Sequence, residues 1–477
     1  MTDGKIMKCR LKILITLILL ASLTYAQSNI SGYWDGKIKM LTMNLDFQLK
    51  IEQTKNSLTA LMSIPSQALK DYQLQVFTIN KNKVHFELPS QAGIANFDGE
   101  LKADSITGKI LQAGIQGSFH LVRGVEPKQS PVTEVKKAEP LPYSEEEVAF
   151  KSGRILLAGT LTRPKENFKY PAVILLTGNG PQNRDEDIFG FKIFERIADF
   201  LTRRGIAVLR YDDRGVGGST GNTMQSTTAE FADDAKAAID FLKKLPNIDS
   251  KKIGFIGHSE GAIIASLVAS YSSDVAFVVL ISGSGVPGGD LLLEQQRLIL
   301  NASGVENNLI EKNRELQVKI NNVLSGGEDF SSIRNDIEIF AEKDFESLSP
   351  EIKNSILDKK SYLNSIVESQ IVMFDNPWFR FFVKYDPAPS LKKVKVPVLM
   401  IFGGLDLQVS VHQNKNKMEE ALEKGGNKNY KTVIFPEANH LYQAAKSGIP
   451  AEYESLKKEF VPGFLDTIGN WIIPIIK

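Results

Sequence analysis

Gly257-His258-Ser259-Glu260-Gly261 lies where an apolar run, residues 253–257, meets a run of small and apolar residues, 262–269. In this order the runs predict a buried strand, a tight turn and a helix. The two glycines permit the sharp turn, which presents the serine hydroxyl beyond the end of the strand. The stretch therefore predicts a nucleophile elbow, with Ser259 at its tip, in an open α/β sheet.

A second stretch, Gly217-Gly218-Ser219-Thr220-Gly221, has the same spacing of glycine and serine. It follows the charged loop Asp212-Asp213-Arg214-Gly215, and polar residues come after it. An elbow needs a strand before the serine and a helix directly behind it. We therefore expect Ser219 to be an ordinary turn residue.

The chain has 477 residues, 42% of them hydrophobic, which is enough for at least two domains with buried cores. Its 57 basic and 56 acidic residues give a formal net charge of +1. A nucleic-acid partner would call for a basic surplus, so none is expected. No spacing of metal ligands and no phosphate-binding loop is found in the sequence, so we expect no metal and no cofactor.

Residues 1–26 have the pattern of a secretory signal peptide. Basic residues precede an apolar core at residues 13–23, and Thr24-Tyr25-Ala26 resembles a cleavage site. The alternative is a membrane anchor, but the core is shorter than the about 20 residues that span a bilayer. We expect export to the periplasm or the medium without a stable membrane anchor. Cys9, the single cysteine, would leave with this segment, which excludes a thiol nucleophile and a disulfide.

Residues 27–123 alternate apolar and polar positions in short runs, one of them at residues 73–79. This pattern predicts a small all-β domain of about eight strands, either a barrel or a sandwich. Residues 124–145 contain several prolines among charged residues, which is typical of a stiff linker. We expect a domain boundary there.

From residue 146 to 477 apolar runs alternate with helical patterns, such as residues 188–204 and 230–245. A hairpin is expected first, at residues 148–161. Runs that are apolar throughout predict strands buried on both faces of the sheet: 171–177, 207–211, 253–257, 276–282, 397–402 and 432–435. The alternation predicts a doubly wound, mostly parallel α/β sheet.

About a hundred residues, approximately 289–390, interrupt this alternation with helical patterns and the cluster Trp378-Phe379-Arg380-Phe381-Phe382. An insertion here would lie beyond the carboxyl ends of the strands, where open α/β sheets bind ligands. We interpret it as a helical lid. Trp378, Phe379 and Phe382 are candidates for contact with a substrate, and the alternative is that they anchor the lid in a core.

A serine hydroxyl needs a neighbouring base and an acid that orients the base, and after an elbow the acid precedes the histidine along the chain. His440 directly follows the predicted strand at residues 432–435. The sequence therefore predicts His440 as the base. The other four histidines precede the serine, adjoin it, or begin a predicted helix: His85, His120, His258 and His412. For His258 we expect packing within the elbow.

Asp406 follows the predicted strand at residues 397–402, so it would reach the same sheet edge as Ser259 and His440. We predict Asp406 as the orienting acid, with Glu437 and Asp375 as alternatives. The reaction would place negative charge on an oxygen, which two backbone N–H groups stabilise. We predict the amide of Glu260 as one donor and, from the glycine-flanked loop after the strand at 171–177, the amide of Asn179 as the other. The alternative for Asn179 is an ordinary turn residue.

With these residues placed, the chain from about residue 146 onward resembles secreted bacterial α/β-hydrolase esterases with an N-terminal accessory domain. The motifs that carry the resemblance are the elbow, Thr177-Gly178-Asn179-Gly180-Pro181-Gln182-Asn183-Arg184-Asp185-Glu186, Arg210-Tyr211-Asp212-Asp213-Arg214-Gly215-Val216-Gly217 and Tyr385-Asp386-Pro387-Ala388-Pro389. The resemblance implies a serine carboxylesterase that acts on small esters with short acyl chains. It also implies Ser259, Asp406 and His440 as the triad.

Two other functions stay open. One is a peptidase or aminoacyl hydrolase of the prolyl-oligopeptidase type, although residues 27–123 are too few for the β-propeller that usually precedes such a domain. The other is a binding protein on a hydrolase scaffold, which would not require a serine, an acid and a histidine in catalytic order.

Overall fold

The computed structural model of the protein describes residues 30–40, 43–53, 58–64, 69–74, 76–90, 93–112, 115–125, 141–165, 168–348, 350, 353, 356 and 358–477. The predicted signal peptide and most of the predicted linker lie outside these residues. The chain divides into two compact units, which we describe separately. The first is the N-terminal β module with Phe340–Ser369, and the second is the rest of the chain.

The N-terminal module is a nine-stranded antiparallel sheet with the order β4-β3-β2-β1-β9-β8-β7-β6-β5. Its strands are β1 (Gly32–Met40), β2 (Met43–Gln53), β3 (Leu58–Ile64), β4 (Leu69–Gln73), β5 (Val76–Asn80), β6 (Lys83–Ser90), β7 (Gly93–Lys102), β8 (Ser105–Gln112) and β9 (Ile115–Arg123). The run at residues 73–79, expected as one strand, is divided between β4 and β5. Gln73 ends β4, and β5 begins at Val76. The described residues form nine strands, where about eight were expected.

One face of this sheet buries the apolar half of the alternating pattern. Phe86 and Phe97 stack with ring centroids 4.4 Å apart, and Phe119 packs edge-on against both at 5.5 and 5.3 Å. Trp34 is fully buried in the same cluster and donates its indole N–H to the carbonyl of Ile30. Side chains therefore fill this core, as the period-2 pattern predicts.

The second unit contains the predicted mostly parallel sheet, with the order β10-β11-β15-β12-β16-β17-β18-β19. β10 and β11 form the predicted hairpin, β11 pairs antiparallel with β15, and every later pair is parallel. The strands are β10 (Tyr143–Ser152), β11 (Ile155–Pro164), β12 (Tyr170–Leu176), a two-residue pair β13 (Asp187–Ile188) and β14 (Phe191–Lys192), β15 (Ala207–Tyr211), β16 (Ile248–His258), β17 (Val278–Ile281), β18 (Val398–Gly403) and β19 (Tyr430–Phe435).

Helices cover both faces of this sheet. α1, α2, α3, α9, α10 and α11 contribute to the cores on these faces. In chain order, the α-helices of the described residues are α1 (Ile193–Thr202), α2 (Thr228–Leu242), α3 (Glu260–Ala269), α4 (Gly288–Ala302), α5 (Asn307–Gly326), α6 (Arg334–Ser347), α7 (Lys359–Phe374), α8 (Pro377–Lys384), α9 (Ala388–Leu391), α10 (Val411–Lys424) and α11 (Phe464–Ile476). Most of α6 and α7 belongs to the first unit. α1 begins later than the pattern at residues 188–204 predicts, because the pairing of β13 with β14 takes up its first residues. Within the described ranges, no helix has the length and hydropathy to cross a bilayer.

The two faces of the sheet have separate cores. On one face Ile239 of α2 and Ala265 of α3 are fully buried, and on the other Ile197 of α1 packs with Ile468 of α11. Each fully buried isoleucine contributes about 1.5–3 kcal/mol through the surface removed from water. These cores hold the strands so that their carboxyl ends meet at one edge, which is where the predicted site residues lie.

The predicted lid enters between β17 and β18 as a series of helices, α4 to α9. The start of α8 is encoded locally, because the side chain of Asn376 accepts from the backbone N–H of Phe379 and Pro377 occupies the first turn. α8 ends at Lys384 and is followed by its C-cap Tyr385, two residues before Pro387, where a helix cannot continue easily. This helix presents the aromatic cluster that the sequence singled out.

Candidate active site

The elbow has the predicted order of strand, turn and helix. β16 ends at His258, α3 begins at Glu260, and Ser259 lies between them with φ 54° and ψ −115°. A positive φ is strained for a serine, and such strain persists where the surrounding structure enforces it. A Cβ on Gly257 would collide with the carbonyl of Gly261, which explains why this position must be glycine.

His440 and Asp406 are paired at the edge of the sheet. His440 Nδ1 lies 2.8 Å from Asp406 Oδ2, and both side chains are buried. Asp406 Oδ2 also accepts from the hydroxyl of Ser282 at 2.7 Å, and its Oδ1 accepts from the backbone N–H groups of Gln408 and Val409, each at 2.9 Å. With Nδ1 directed to the carboxylate, Nε2 is the ring nitrogen left to exchange a proton with a substrate or nucleophile.

Electrostatics favour the ionised form of Asp406. Burial by itself would raise the pKa of this carboxyl, but the charge and hydrogen bond of His440 outweigh burial. The backbone N–H of Val409 and the hydroxyl of Ser282 act in the same direction, and the pKa lies below its ordinary value. Asp406 is therefore an acceptor that fixes the orientation of the His440 ring.

The residues considered as alternatives lie elsewhere. His412 is exposed in the first turn of α10, and Glu437 is exposed. Asp375 pairs with Arg380, with Nη2 and Oδ1 2.6 Å apart. Ser219 of the second glycine–serine stretch lies in a loop, where its hydroxyl donates to the carbonyl of Asp212 at 2.7 Å. The prediction of a turn for Ser219 is confirmed.

The loop after β12 passes directly against Ser259. A Cβ on Gly178 would lie 3.4 Å from the Cβ of Ser259, so this loop approaches the elbow closely. Asn179, Ser259 and Glu260 line one pocket, and the amide of Glu260 belongs to the first turn of α3. N–H groups in a first turn have no partner within the helix and suit an anion. The residues of the two predicted oxyanion donors thus line the same pocket as Ser259.

Hydrogen bonds to the side chain of Asp213 hold this loop in place. Asp213 accepts from the hydroxyl of Thr177 at 2.8 Å and from the backbone N–H of Gln182 at 2.9 Å. Burial raises the pKa of Asp213 well above its ordinary value in spite of these bonds. The neighbouring Arg214 turns away and binds Asp234, with Nε and Oδ2 2.6 Å apart. Both residues of the Asp-Arg motif therefore support the loops around the pocket.

The pocket at Ser259 is small, with a free volume of about 40 Å³. Its walls come from the elbow, the lid and the loop after β18: Asn179, Ser259, Glu260, Ile263, Ser282, Ser284, Leu291, Leu292, Gln295, Trp378, Phe382, Gln408 and Val409. Phe379 packs edge-on against Trp378, with ring centroids 4.7 Å apart, and supports the wall. Trp378 and Phe382 therefore line the pocket, and Trp378 also anchors the lid to the elbow.

The side chain of Glu260 binds Trp378. The sequence had predicted a role only for the backbone amide of Glu260, as an oxyanion donor. The carboxylate accepts from Trp378 Nε1 at 2.8 and 3.0 Å and from the hydroxyl of Thr228 at 2.6 Å. Burial raises the pKa of Glu260 to about 7, although both hydrogen bonds oppose the rise. A carboxyl with a pKa of about 7 thus lines the pocket beside Ser259.

A second histidine–carboxylate pair lies behind the site, where simple packing of His258 was expected. His258 Nδ1 lies 2.9 Å from Glu186 Oε1, and Nε2 lies 3.0 Å from the backbone carbonyl of His440. Burial opposes protonation of His258, but the charge and hydrogen bond of Glu186 and the carbonyl of His440 raise its pKa. Glu186 is the last residue of the motif at residues 177–186, one of those on which the resemblance rests. Its place in this motif was the sequence signal that could have identified it as a site residue.

A strained serine between strand and helix, on a mostly parallel sheet with a buried aspartate–histidine pair at the same edge, defines the class of serine hydrolases with the α/β-hydrolase fold. A family model described as "Serine aminopeptidase, S33" matches residues 191–333. Esterase EstD of Thermotoga maritima is 26% identical over 459 residues, which cover 94% of this chain and 94% of that protein. The chain is similar to α/β-hydrolase esterases, and these findings support a serine hydrolase of the carboxylesterase type.

Two further similarities are shorter or weaker. Dipeptidyl-peptidase 5 of Porphyromonas gingivalis is 27% identical over 125 residues, which cover 25% of this chain and 18% of that protein. A solved structure of an esterase from Pyrococcus furiosus aligns with a TM-score of 0.42 and 17% identity, over 71% of this chain and 93% of that one. That TM-score is too low to support an argument, and the fold assignment rests on the strand order described above.

Proposed function

We propose that this protein hydrolyses carboxylic esters with short acyl chains through an acyl-enzyme, with Ser259 as nucleophile, His440 as base and Asp406 as orienting acid. The observation that carries the proposal is the buried pair of His440 and Asp406, 2.8 Å apart, at the sheet edge where the elbow turns Ser259 outward. The extended similarity to Esterase EstD supports the same chemistry.

In the first half of the reaction, Ser259 Oγ attacks the carbonyl carbon of the ester while His440 Nε2 takes up the hydroxyl proton. Asp406 stabilises the resulting imidazolium. The amides of Asn179 and Glu260 donate to the oxyanion, each worth about 2.7–4 kcal/mol by analogy with other oxyanion donors. When the tetrahedral intermediate collapses, His440 returns the proton to the leaving alcohol and the acyl group stays on Ser259.

In the second half, a water molecule loses a proton to His440 and attacks the acyl carbon. The ester bond to Ser259 then breaks, its oxygen recovers the proton from His440, and the carboxylic acid leaves. Water and ester are consumed, and an alcohol and a carboxylic acid are formed. These steps need only the side chains named above.

The size of the pocket supports a short acyl chain. Its free volume of about 40 Å³ equals the space of a few water molecules. Trp378 and Phe382 close the side that belongs to the lid, and the bond from Trp378 to Glu260 keeps that wall in place. An acetyl or butyryl group is therefore favoured over an octanoyl group.

A second candidate is hydrolysis of aminoacyl esters or amides. The carboxyl of Glu260 lines the pocket and would attract an ammonium group on the acyl part of a substrate. The description of the matching family model also favours it. Against this, Glu260 is already engaged by Trp378 and Thr228, so the ester remains our first choice.

A substrate panel separates the two candidates. Initial rates would be measured for p-nitrophenyl acetate, butyrate and octanoate and for aminoacyl p-nitroanilides, with the wild type and with Ser259→Ala. We expect turnover of acetate and butyrate, little turnover of octanoate or anilides, and none with Ser259→Ala. Faster hydrolysis of the anilides would replace the esterase proposal with the peptidase, and normal ester turnover by Ser259→Ala would contradict the assignment of the nucleophile.

We also propose that the protein is exported and that residues 1–26 are removed. The basic segment, short apolar core and cleavage pattern support this proposal. Expression of the full chain in a bacterium, followed by fractionation and intact mass measurement, tests it. A periplasmic or secreted product that begins at Gln27 is expected, and an uncleaved product in the membrane fraction would contradict it.

A further inference from the structure

Glu186 and His258 connect three segments of the proposed site. Glu186 Oε1 accepts from the backbone N–H of Gly178 at 2.8 Å, in the loop that carries Asn179. The same oxygen lies 2.9 Å from His258 Nδ1, and His258 directly precedes Ser259. His258 Nε2 bonds the backbone carbonyl of His440 at 3.0 Å. One buried pair therefore contacts the oxyanion loop, the elbow and the loop of the base.

The hydrogen bonds of the two ring nitrogens distinguish this pair from the pair of His440 and Asp406. A backbone carbonyl only accepts, so Nε2 of His258 must donate to His440. Glu186 Oε1 already accepts from Gly178, and Nδ1 of His258 donates to it as well. The ring thus donates from both nitrogens and has no lone pair left to take a proton from a nucleophile. His258 suits the fixing of geometry and is unsuited to act as a base.

Burial and backbone strain indicate that this arrangement has a purpose beyond stability. Glu186 and His258 are 1% and 3% exposed, and taking two charges out of water often costs as much free energy as their attraction returns. Glu186 has φ 47°, in the left-handed region that is unfavourable for a glutamate, as Ser259 also does with φ 54°. Residues held in this way cluster at functional sites.

We propose that Glu186 and His258 are a positioning pair, which holds the amide of Asn179 and the ring of His440 in register with Ser259. The inference rests on the proposed function, since it assumes that these three groups act together. Neither member lines the pocket at Ser259 as described, so the pair acts through the backbone of Gly178 and His440. An oxyanion donor or base displaced by about 1 Å costs on the order of a hundredfold in rate.

Kinetics of p-nitrophenyl butyrate hydrolysis test the pair, with Glu186→Ala, His258→Phe and the double variant. We expect kcat to fall by about 10- to 100-fold in each single variant with KM changed less than about twofold, because transition-state geometry is lost and not ground-state binding. The kcat of the double variant should be no lower than that of the slower single variant, because both substitutions remove the same positioning pair. Matched controls are His412→Phe and Glu420→Ala, both exposed on α10, which should leave kcat unchanged.

Several outcomes would overturn the pair's role. These are an unchanged kcat in folded single variants, losses that multiply in the double variant, or an effect on KM alone. If the alanine variant does not fold, Glu186→Gln replaces it, because its amide oxygen still accepts from Gly178. A kcat reduced by about threefold to tenfold is then expected, and wild-type kcat would overturn the proposal.

The activity of the wild type distinguishes a failure of the positioning pair from a failure of the proposed function. A wild-type protein that does not hydrolyse the ester refutes the proposed function itself. An active wild type whose variants match it refutes only the positioning pair.

Discussion

The described residues include two buried histidine–carboxylate pairs whose histidine rings lie 4.7 Å apart, and the pairs differ in the partner of the second ring nitrogen. In the pair of His440 and Asp406 only Nδ1 is committed, to the carboxylate. In the pair of His258 and Glu186 both nitrogens are committed, one to a carboxylate and one to a backbone carbonyl. In our proposal, the same two side-chain types thus make a base in one place and a positioning pair in the other.

Substitution of the two histidines should give the largest difference in kcat between the two pairs. His440→Ala removes the proposed base, and kcat for p-nitrophenyl butyrate should fall on the order of 10⁶-fold, as when a triad histidine is lost. His258→Phe should cost about 10- to 100-fold. Steady-state rates at pH 7.5 measure both. Equal losses in the two variants would break the distinction between base and positioning pair.

Substitution of the two carboxylates should give the next largest difference in kcat. Asp406→Asn keeps the shape of the side chain but favours the wrong tautomer of His440, so kcat should fall about 10⁴-fold with little change in KM. Glu186→Gln should cost about tenfold or less, because an oxygen that accepts from Gly178 remains. A larger loss in Glu186→Gln than in Asp406→Asn would reverse the roles of the two pairs.

Glu260 differs from both pairs, because the described residues give its buried carboxyl two neutral hydrogen-bond donors, Thr228 and Trp378, and no cationic partner. Its pKa of about 7 means that it is neutral in acid and becomes charged as the pH rises through 7. A negative charge beside the oxyanion opposes the transition state, so kcat/KM should fall by about tenfold from pH 6 to pH 9. Glu260→Gln should remove this fall, and an identical pH profile in the variant would show that another group causes it.

The same pKa predicts how stability depends on pH. Because the folded-state pKa of Glu260 is raised above the unfolded value of 4.5, the folded protein binds more protons between pH 4.5 and 7. The free energy of unfolding should therefore decrease as the pH rises through this window, by on the order of 3 kcal/mol. Denaturant unfolding at pH 4.5 and 8 measures the change. Glu260→Gln should be less dependent on pH, and equal slopes would contradict the prediction.

The smallest effect is expected at the lid. Trp378→Phe keeps an aromatic wall but loses the N–H bond to Glu260, worth about 0.5–1.5 kcal/mol. The ratio of kcat/KM for butyrate over octanoate should decrease about threefold, since the wall is held less firmly. Phe374→Leu, behind Phe379, is a control that leaves the bond to Glu260 intact. An unchanged ratio in Trp378→Phe would show that this bond does not set the length of the acyl chain.

Sequence could predict the sheet and the residues at its edge because each depends on local signals. Apolar runs fix the buried strands, and Asp406 and His440 directly follow two of them. The division of residues 73–79 into β4 and β5 was not predictable, because an apolar run does not show where pairing changes to a new neighbour.

The pair behind the site was out of reach for a different reason. Glu186 lies 72 residues before His258, in a loop whose path depends on tertiary contacts of the folded protein. The role of the Glu260 side chain likewise depends on Trp378, 118 residues later. Local patterns place residues at strand ends, whereas pairs made across loops follow from tertiary packing.

The central claim is that Ser259 is the nucleophile activated by His440, and labelling with a fluorophosphonate tests it most directly. Intact mass and peptide mapping of the treated protein should show one adduct, at Ser259, which forms much more slowly in His440→Ala and at an only moderately reduced rate in His258→Phe. An adduct at another residue, or labelling of His440→Ala at the wild-type rate, would contradict the account.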